Sequence, residues 1–326
     1  MSAAGIALAA IAVVRIGVGR VGHALLSVNL AWAVAALALM CSSMALRGES
    51  WFAVLRAAGA AVRRRDALRG TMIGVLVSAA LPGRLGEPAR AVVISRRLGG
   101  TRRWVATVAG TVFAQTLLNI LALALLAVVA VVGTGLFQGH ATAALLALAI
   151  PVAIAGVVVV APALLQRLTS SRFAFVRNTA QLVAGQVQAV RRGLRVFRRL
   201  RTGLHAAGAQ LSAWALQWLS CYTLLVAFGL QREAGLDAAA SVLLAVNLTA
   251  ILPATPSNVG LFQAACVLVL AAYGVGKGTG LAYGIVLQAI EVTTALVLGV
   301  PALLSEGLGW RDIRRGADEL AQRESP

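Results

Sequence analysis

The chain has 326 residues, is 60% hydrophobic and only 12% charged, and carries a formal net charge of +18. A soluble domain holds about twice that charged fraction, and here the apolar residues fall in blocks near the roughly 20 residues needed to cross a bilayer as a helix. A soluble fold is therefore excluded, and the mean hydropathy of +0.86 points to an all-α, polytopic membrane helix bundle.

Residues 3–14 are apolar but too short to span alone, and Arg15 and Arg20 follow. No basic region precedes them, so a cleaved signal peptide is not expected. Gly17–Gly22 fits the dinucleotide pattern GxGxxG, but the fingerprint also needs a βαβ unit and an acid about 20 positions on. The segment instead runs into an apolar block, so the match is a coincidence in a chain with 33 glycines. Residues 3–22 are expected to form a short first helix or an interfacial one.

Residues 25–46 form the first span, ending at Arg47. Arg47, Arg56, Arg63, Arg64, Arg65 and Arg69 follow against Glu49 and Asp66, which places this loop in the cytoplasm by the positive-inside rule. Residues 71–82 are apolar, and then Leu81-Pro82-Gly83-Arg84-Leu85-Gly86-Glu87-Pro88-Ala89-Arg90 breaks the helix. Helix resumes over 89–95 and reaches Arg96, Arg97, Arg102 and Arg103. Both ends are basic, so the unit enters and leaves on one side as a re-entrant hairpin. Lipid excludes exposed irregular backbone, so the break must line a polar cavity or be buried by protein.

Residues 104–132 span outward and 141–165 span back. A linker over 166–205 carries nine arginines and no acid between Arg167 and Arg201. Val183, Val187, Val190, Leu194 and Phe197 recur there at helical spacing, which suits an amphipathic helix on the anionic inner leaflet. Residues 208–230 span outward. Residues 238–252 and 261–272 flank a second break, Leu252-Pro253-Ala254-Thr255-Pro256-Ser257-Asn258-Val259-Gly260. Residues 280–304 then cross inward, and Arg311, Arg314, Arg315 and Arg323 put the tail, 305–326, in the cytoplasm. The arginines thus lie between apolar blocks on one face, which accounts for the net charge without nucleic acid.

The organisation predicted is one integral membrane domain built twice: span, broken hairpin, span over about 25–132, and again over 208–304. Span 141–165 inverts the second copy. Both breaks begin Leu-Pro and regain helix after a glycine, Gly86 or Gly260. Inverted repeats with broken helices meeting near the midplane are a transporter architecture.

The chemistry lies at the breaks. Helices restarting after Gly86-Glu87-Pro88 and after Ser257-Asn258 would aim N-terminal amides at an anion. Arg84 and Arg90 could grip phosphate oxygens in pairs. Glu87 could pair with one of them or hold a cationic head group. Glu291 sits in the middle of the last span, where an ionised group costs several kcal/mol unless partnered, and pairing with Arg84 or Arg90 is the structural alternative to a functional role. Gln263, Gln288, Asn247, Gln115 and Asn119 add polar surface, for which helix joining is the simpler role. Cys41, Cys221 and Cys266 have no paired spacing, and His23, His140 and His205 are scattered, so no disulfide, metal or cofactor is expected. The candidate binding residues are Arg84, Glu87, Arg90, Asn258, Gln263 and Glu291.

From about Trp32 to Gly309, the two break motifs and the trailing Arg96-Arg97 resemble the flippase-like family known as the lysylphosphatidylglycerol synthase transmembrane region. The resemblance implies a polytopic inner-membrane protein that moves lipids between leaflets, in fused members joined to an aminoacyl transferase; stand-alone relatives are linked to other phospho- or isoprenoid-lipid carriers. Two positions depart from the pattern: Gln115 and Asn119 stand where the family often has charges, and Gln263 where many members have Glu. About 20 residues follow the last span, so no fused transferase is expected. The leading expectation is a multi-pass plasma-membrane flippase for a phospholipid or phospho-isoprenoid head group, with membrane lipids, and a separate lipid-modifying transferase, as partners. A membrane subunit of an aminoacyl or glycosyl head-group transferase, and a non-transporting envelope scaffold, stay open.

Overall fold

The computed structural model describes residues 18–80, 85–99, 102–133, 200–250 and 258–306, and the regular elements among them are helices. They are α1 (Val18–Leu26), α2 (Leu30–Ala57), α3 (Arg64–Ala80), α4 (Gly86–Arg97), α5 (Arg102–Gly133), α6 (Leu200–Ala227), α7 (Leu236–Thr249), α8 (Leu261–Ala272) and α9 (Lys277–Ser305). Arg84 with the rest of 81–84, span 141–165, the basic linker as far as 199, break residues 251–257 and the tail from 307 lie outside the described residues.

Among the described residues, α2, α5 and α9 are long and apolar enough to cross a membrane. Helices α3, α4, α7 and α8, with 17, 12, 14 and 12 residues, rise only about 18–26 Å each, less than the roughly 30 Å hydrocarbon core. Leu268, Val297, Leu304 and Leu125 are exposed on the outside of the bundle. Such a surface would be a liability in water and is the expected one against lipid.

Helices α2 and α6 form the central antiparallel pair. Asn29 begins α2, its Oδ1 accepting from the amides of Ala31 at 3.1 Å and Trp32 at 3.4 Å, and its own N–H reaches the carbonyl of Ala227 at 2.9 Å. Further along, Ser220 Oγ donates to the Ala36 carbonyl at 2.7 Å, Arg47 Nη2 to Gln217 Oε1 at 2.9 Å and Ser50 Oγ to the Ala206 carbonyl at 2.9 Å. The expected end of the first span at Arg47 is therefore corrected. The helix continues for another ten residues to Ala57, because Arg47, Glu49 and Ser50 find polar partners on α6 and α3 and need no loop to reach water. Likewise α6 starts at Leu200 rather than at 208, taking in His205, whose Nε2 lies 3.2 Å from Glu49.

Around this pair the other helices are arranged reciprocally. Helix α3 packs on α9 and α7 on α5; α4 packs on α5 and α8 on α9; α2 contacts α3 and α6 contacts α7. Helices α3 and α4 run antiparallel. A Cβ on Gly70 would touch Ile94, one on Gly74 would touch Gly86 and Arg90, and one on Gly86 would overlap the Gly74 carbonyl and Ser78 Oγ. Only glycine permits that approach. Helices α7 and α8 are likewise antiparallel, with Ser241 Oγ 3.3 Å from Tyr273 Oη at one end and Asn258 Nδ2 donating to the Thr249 carbonyl at 3.1 Å at the other.

The break ends differ in detail from expectation. Helix α4 begins at Gly86 itself, so Pro88 falls inside its first turn, where its missing N–H costs nothing. Helix α8 begins at Leu261 after Gly260, whose φ of 94° demands glycine. Asn258 is not the cap of α8: it turns at φ 51° and bonds back to the end of α7.

At one end of the bundle, Arg97 donates to Asp66 Oδ1 at 2.7 Å and to both oxygens of Glu306 at 2.7 and 2.8 Å, with Arg69 3.8 Å from Glu306. The Glu306 hydrogen bonds hold the Arg97 guanidinium above its ordinary pKa. This cluster ties the start of α3 and the end of α4 to the end of α9.

Candidate functional site

A cavity of about 240 Å³ lies among α2, α3, α4, α5, α6, α7 and α9. Its wall includes four charged residues: Arg47, Glu87, Arg90 and Glu291. Three of the six residues expected to bind ligand, Glu87, Arg90 and Glu291, are thus brought together from α4 and α9.

Arg90 is buried at 6% exposure. Its Nη1 donates to Gln115 Oε1 at 2.6 Å, its Nη2 pairs with Glu87 one helical turn earlier, and its guanidinium lies 4.7 Å from the ring centre of Trp51. This orientation uses a carboxylate, an amide and an indole face, which together offset the cost of taking a cation out of water. Glu87 is 47% exposed in its side chain. The expected alternative in which Arg90 serves as counter-ion to Glu291 is corrected: among the described residues Glu291 has no hydrogen bond or ion pair within 4 Å, and Arg90 is held by Glu87 and Gln115 instead.

Gln115 is the hub of a buried amide chain. Its Nε2 donates to the Arg47 carbonyl at 3.0 Å and to Gln210 Oε1 at 3.2 Å; Gln210 Nε2 donates to Asn119 Oδ1 at 2.6 Å, which also accepts from Trp214 Nε1 at 3.0 Å. Gln115 and Asn119 both line the cavity, as do Gln210, Gln217 and Asn247. The expectation that the amides serve mainly to join helices holds for the links from Gln115 and Asn119 to α6, with the addition that they wall the cavity.

Arg47, expected in the loop after the first span, lies within α2. It is half-buried on α2, bonded to Gln217 and 5.1 Å from the Trp214 ring centre. A signal for it existed on α6: Gln210, Trp214 and Gln217 recur at spacings of four and three, which puts two amides and an indole N–H on one face of a helix otherwise apolar there.

Asn258 and Gln263 are not part of the cavity wall. Gln263 Oε1 accepts from the Gly260 amide at 2.7 Å, closing the first turn of α8, while its Nε2 donates to Gln288 Oε1 on α9. Their observed partners are helix ends and a neighbouring helix.

Fold and cavity together define a polytopic α-helical membrane protein with a charged, amide-lined interior site. The family model described as lysylphosphatidylglycerol synthase TM region matches residues 2–299, and the chain belongs to that family. Among curated proteins and among solved structures no match was found.

Proposed function

We propose that this protein is a flippase-like transporter that moves a phospholipid or phospho-isoprenoid head group between leaflets through the cavity between its two broken hairpins. The observation that carries this reading is the convergence of Arg90, Glu87 and Glu291 on one cavity inside a bundle whose outer surface is apolar. A charged interior at membrane depth is costly and marks a transport pathway or site by default. Arg90 would receive phosphate, with Arg84 at the adjoining break as its expected companion. Glu87 would offset Arg90, and Glu291 would supply a counter-charge or carry a proton. Asn258 and Gln263 would contribute by shaping the second break.

The reading includes an inverted repeat of α2–α5 and α6–α9. Reciprocal packing supports it, and so do the hydrogen bonds between α2 and α6. Under a shift of 170 positions, Ser50 to Ala206 becomes Ser220 to Ala36, and Arg47 with Gln217 maps onto itself. Helices α3–α4 and α7–α8 would then be re-entrant from opposite faces. The Arg69–Arg97–Glu306 cluster supports a common face for the ends of the first hairpin and the end of α9. With arginines concentrated there, that face would be cytoplasmic and the C-terminus inside. Alternating access would come from rocking one repeat against the other.

The test is leaflet translocation of a fluorescent phosphatidylglycerol in vesicles reconstituted with the full chain. Movement that disappears in Arg90→Gln supports the reading; no movement of any phospholipid or phospho-isoprenoid tested opposes it.

A further inference from the structure

Arg47 has a different electrostatic position from Arg90. Arg90 already has a carboxylate, Glu87, within ion-pair distance, whereas Arg47 has none within 4 Å among the described residues. What holds it is an amide, Gln217, and an indole face, Trp214. Its Nε–H, like that of Arg90, is buried with no acceptor among the described residues. Glu87 and Glu291 line the same cavity and act on Arg47 only from beyond contact distance, so an amide and an indole return only part of the cost of drawing the guanidinium from water. If Arg47 served only to join α2 to α6, an apolar pair would do so at lower cost.

The two guanidiniums also share a frame. Gln115 accepts from the Arg90 side chain and donates to the Arg47 carbonyl, so one buried amide fixes the register of α4 against α2 at the cavity wall. Both planar forks are further oriented by indoles, Trp51 and Trp214. Fixed forks of this kind suit tetrahedral oxyanions, which accept paired N–H donors.

We propose that Arg47 is a further phosphate-binding guanidinium of the cavity, taking one non-bridging oxygen of a lipid phosphodiester whose other non-bridging oxygen faces Arg90. The inference rests on the transporter reading for the source of the anion, a membrane phospholipid, because the cavity lies inside a bundle with a lipid-facing exterior. Arg47 supplies the counter-charge that Arg90, already paired with Glu87, does not.

The experiment is a titration of the detergent-solubilised full chain by calorimetry with dihexanoyl phosphatidylglycerol, dihexanoyl phosphatidylethanolamine, inorganic phosphate and phosphate-free dihexanoylglycerol. Wild type is expected to bind at least one of the two phospholipids, with Arg47→Gln weakening it by roughly tenfold or more and Arg47→Lys falling between, since Lys keeps the charge but not the fork. Thermal melting of each ligand-free variant accompanies the titration, and the Lys variant carries the comparison should the Gln variant fail to fold. Equal affinity for the phosphate-free lipid, unchanged phospholipid affinity in both variants, or binding of inorganic phosphate alone would overturn the proposal. Arg47-dependent phospholipid binding without translocation would remove the transporter reading and leave the phosphate site standing. Translocation with no dependence on Arg47 would do the opposite.

Discussion

Arg90 and Gln115 are hydrogen-bonded 25 positions apart, and so are Gln263 and Gln288. Each of the short helices α4 and α8 is thus tied to the long helix that follows it, α5 or α9, by one side-chain bond at the same separation. The first tie lines the cavity and the second does not. Gln115→Ala removes an acceptor from a buried guanidinium and should cost about 1–3 kcal/mol; Gln288→Ala should cost a similar amount. Only the first should weaken phospholipid binding. Thermal unfolding and lipid titration of the two variants check this, and equal loss of binding in both would detach the cavity from the ligand.

The α3–α4 hairpin depends on a contact that only hydrogen fits. Gly86→Ala would drive a methyl into the Gly74 carbonyl and Ser78 Oγ. A backbone oxygen cannot rotate away as a side chain can, so overpacking should destabilise by about 1–3 kcal/mol. Gly22→Ala, with no atom within 4 Å of the new methyl, is the control and should melt as wild type does.

Glu291 separates stability from function. With no hydrogen bond or ion pair within 4 Å among the described residues, only the longer-range attraction of Arg47, and a position on a membrane-spanning helix, its carboxylate contributes little to holding the fold. Glu291→Gln keeps the shape and removes the charge, so the melting temperature should stay level or rise while translocation falls. A lower melting temperature would assign Glu291 a structural role.

The cluster of Asp66, Arg69, Arg97 and Glu306 should behave differently. Arg97 is 36% exposed in its side chain and Glu306 6%, so solvent and salt screen the pair in part. Glu306→Gln should lower the melting temperature modestly at low salt, and the difference should shrink at high salt. A difference independent of salt would mean that the pair is more deeply enclosed than its exposure indicates.

The described helices were legible because each has a local cause. Apolar blocks, Pro/Gly clusters and arginine placement located α2 through α5 and α6 through α9, and singled out Glu87, Arg90 and Glu291, which line one cavity. Residues whose role depends on a distant helix were not legible. Arg47 looked like the end of a span, since basic residues mark span ends; Gln217, 170 positions away, keeps it inside the bundle. For Gln263, a candidate ligand by its place after the second break, the sequence does not show that its partners are a helix end and Gln288. Local pattern fixes where helices start and stop; it does not say which polar side chains find one another across the core.

The most direct measurement is translocation of fluorescent phosphatidylglycerol in vesicles holding wild type, Arg90→Gln or Glu291→Gln at matched, folded protein levels. The account predicts protein-dependent movement in wild type and its loss in both variants, with melting temperature preserved in Glu291→Gln. Wild-type rates in both variants would contradict it.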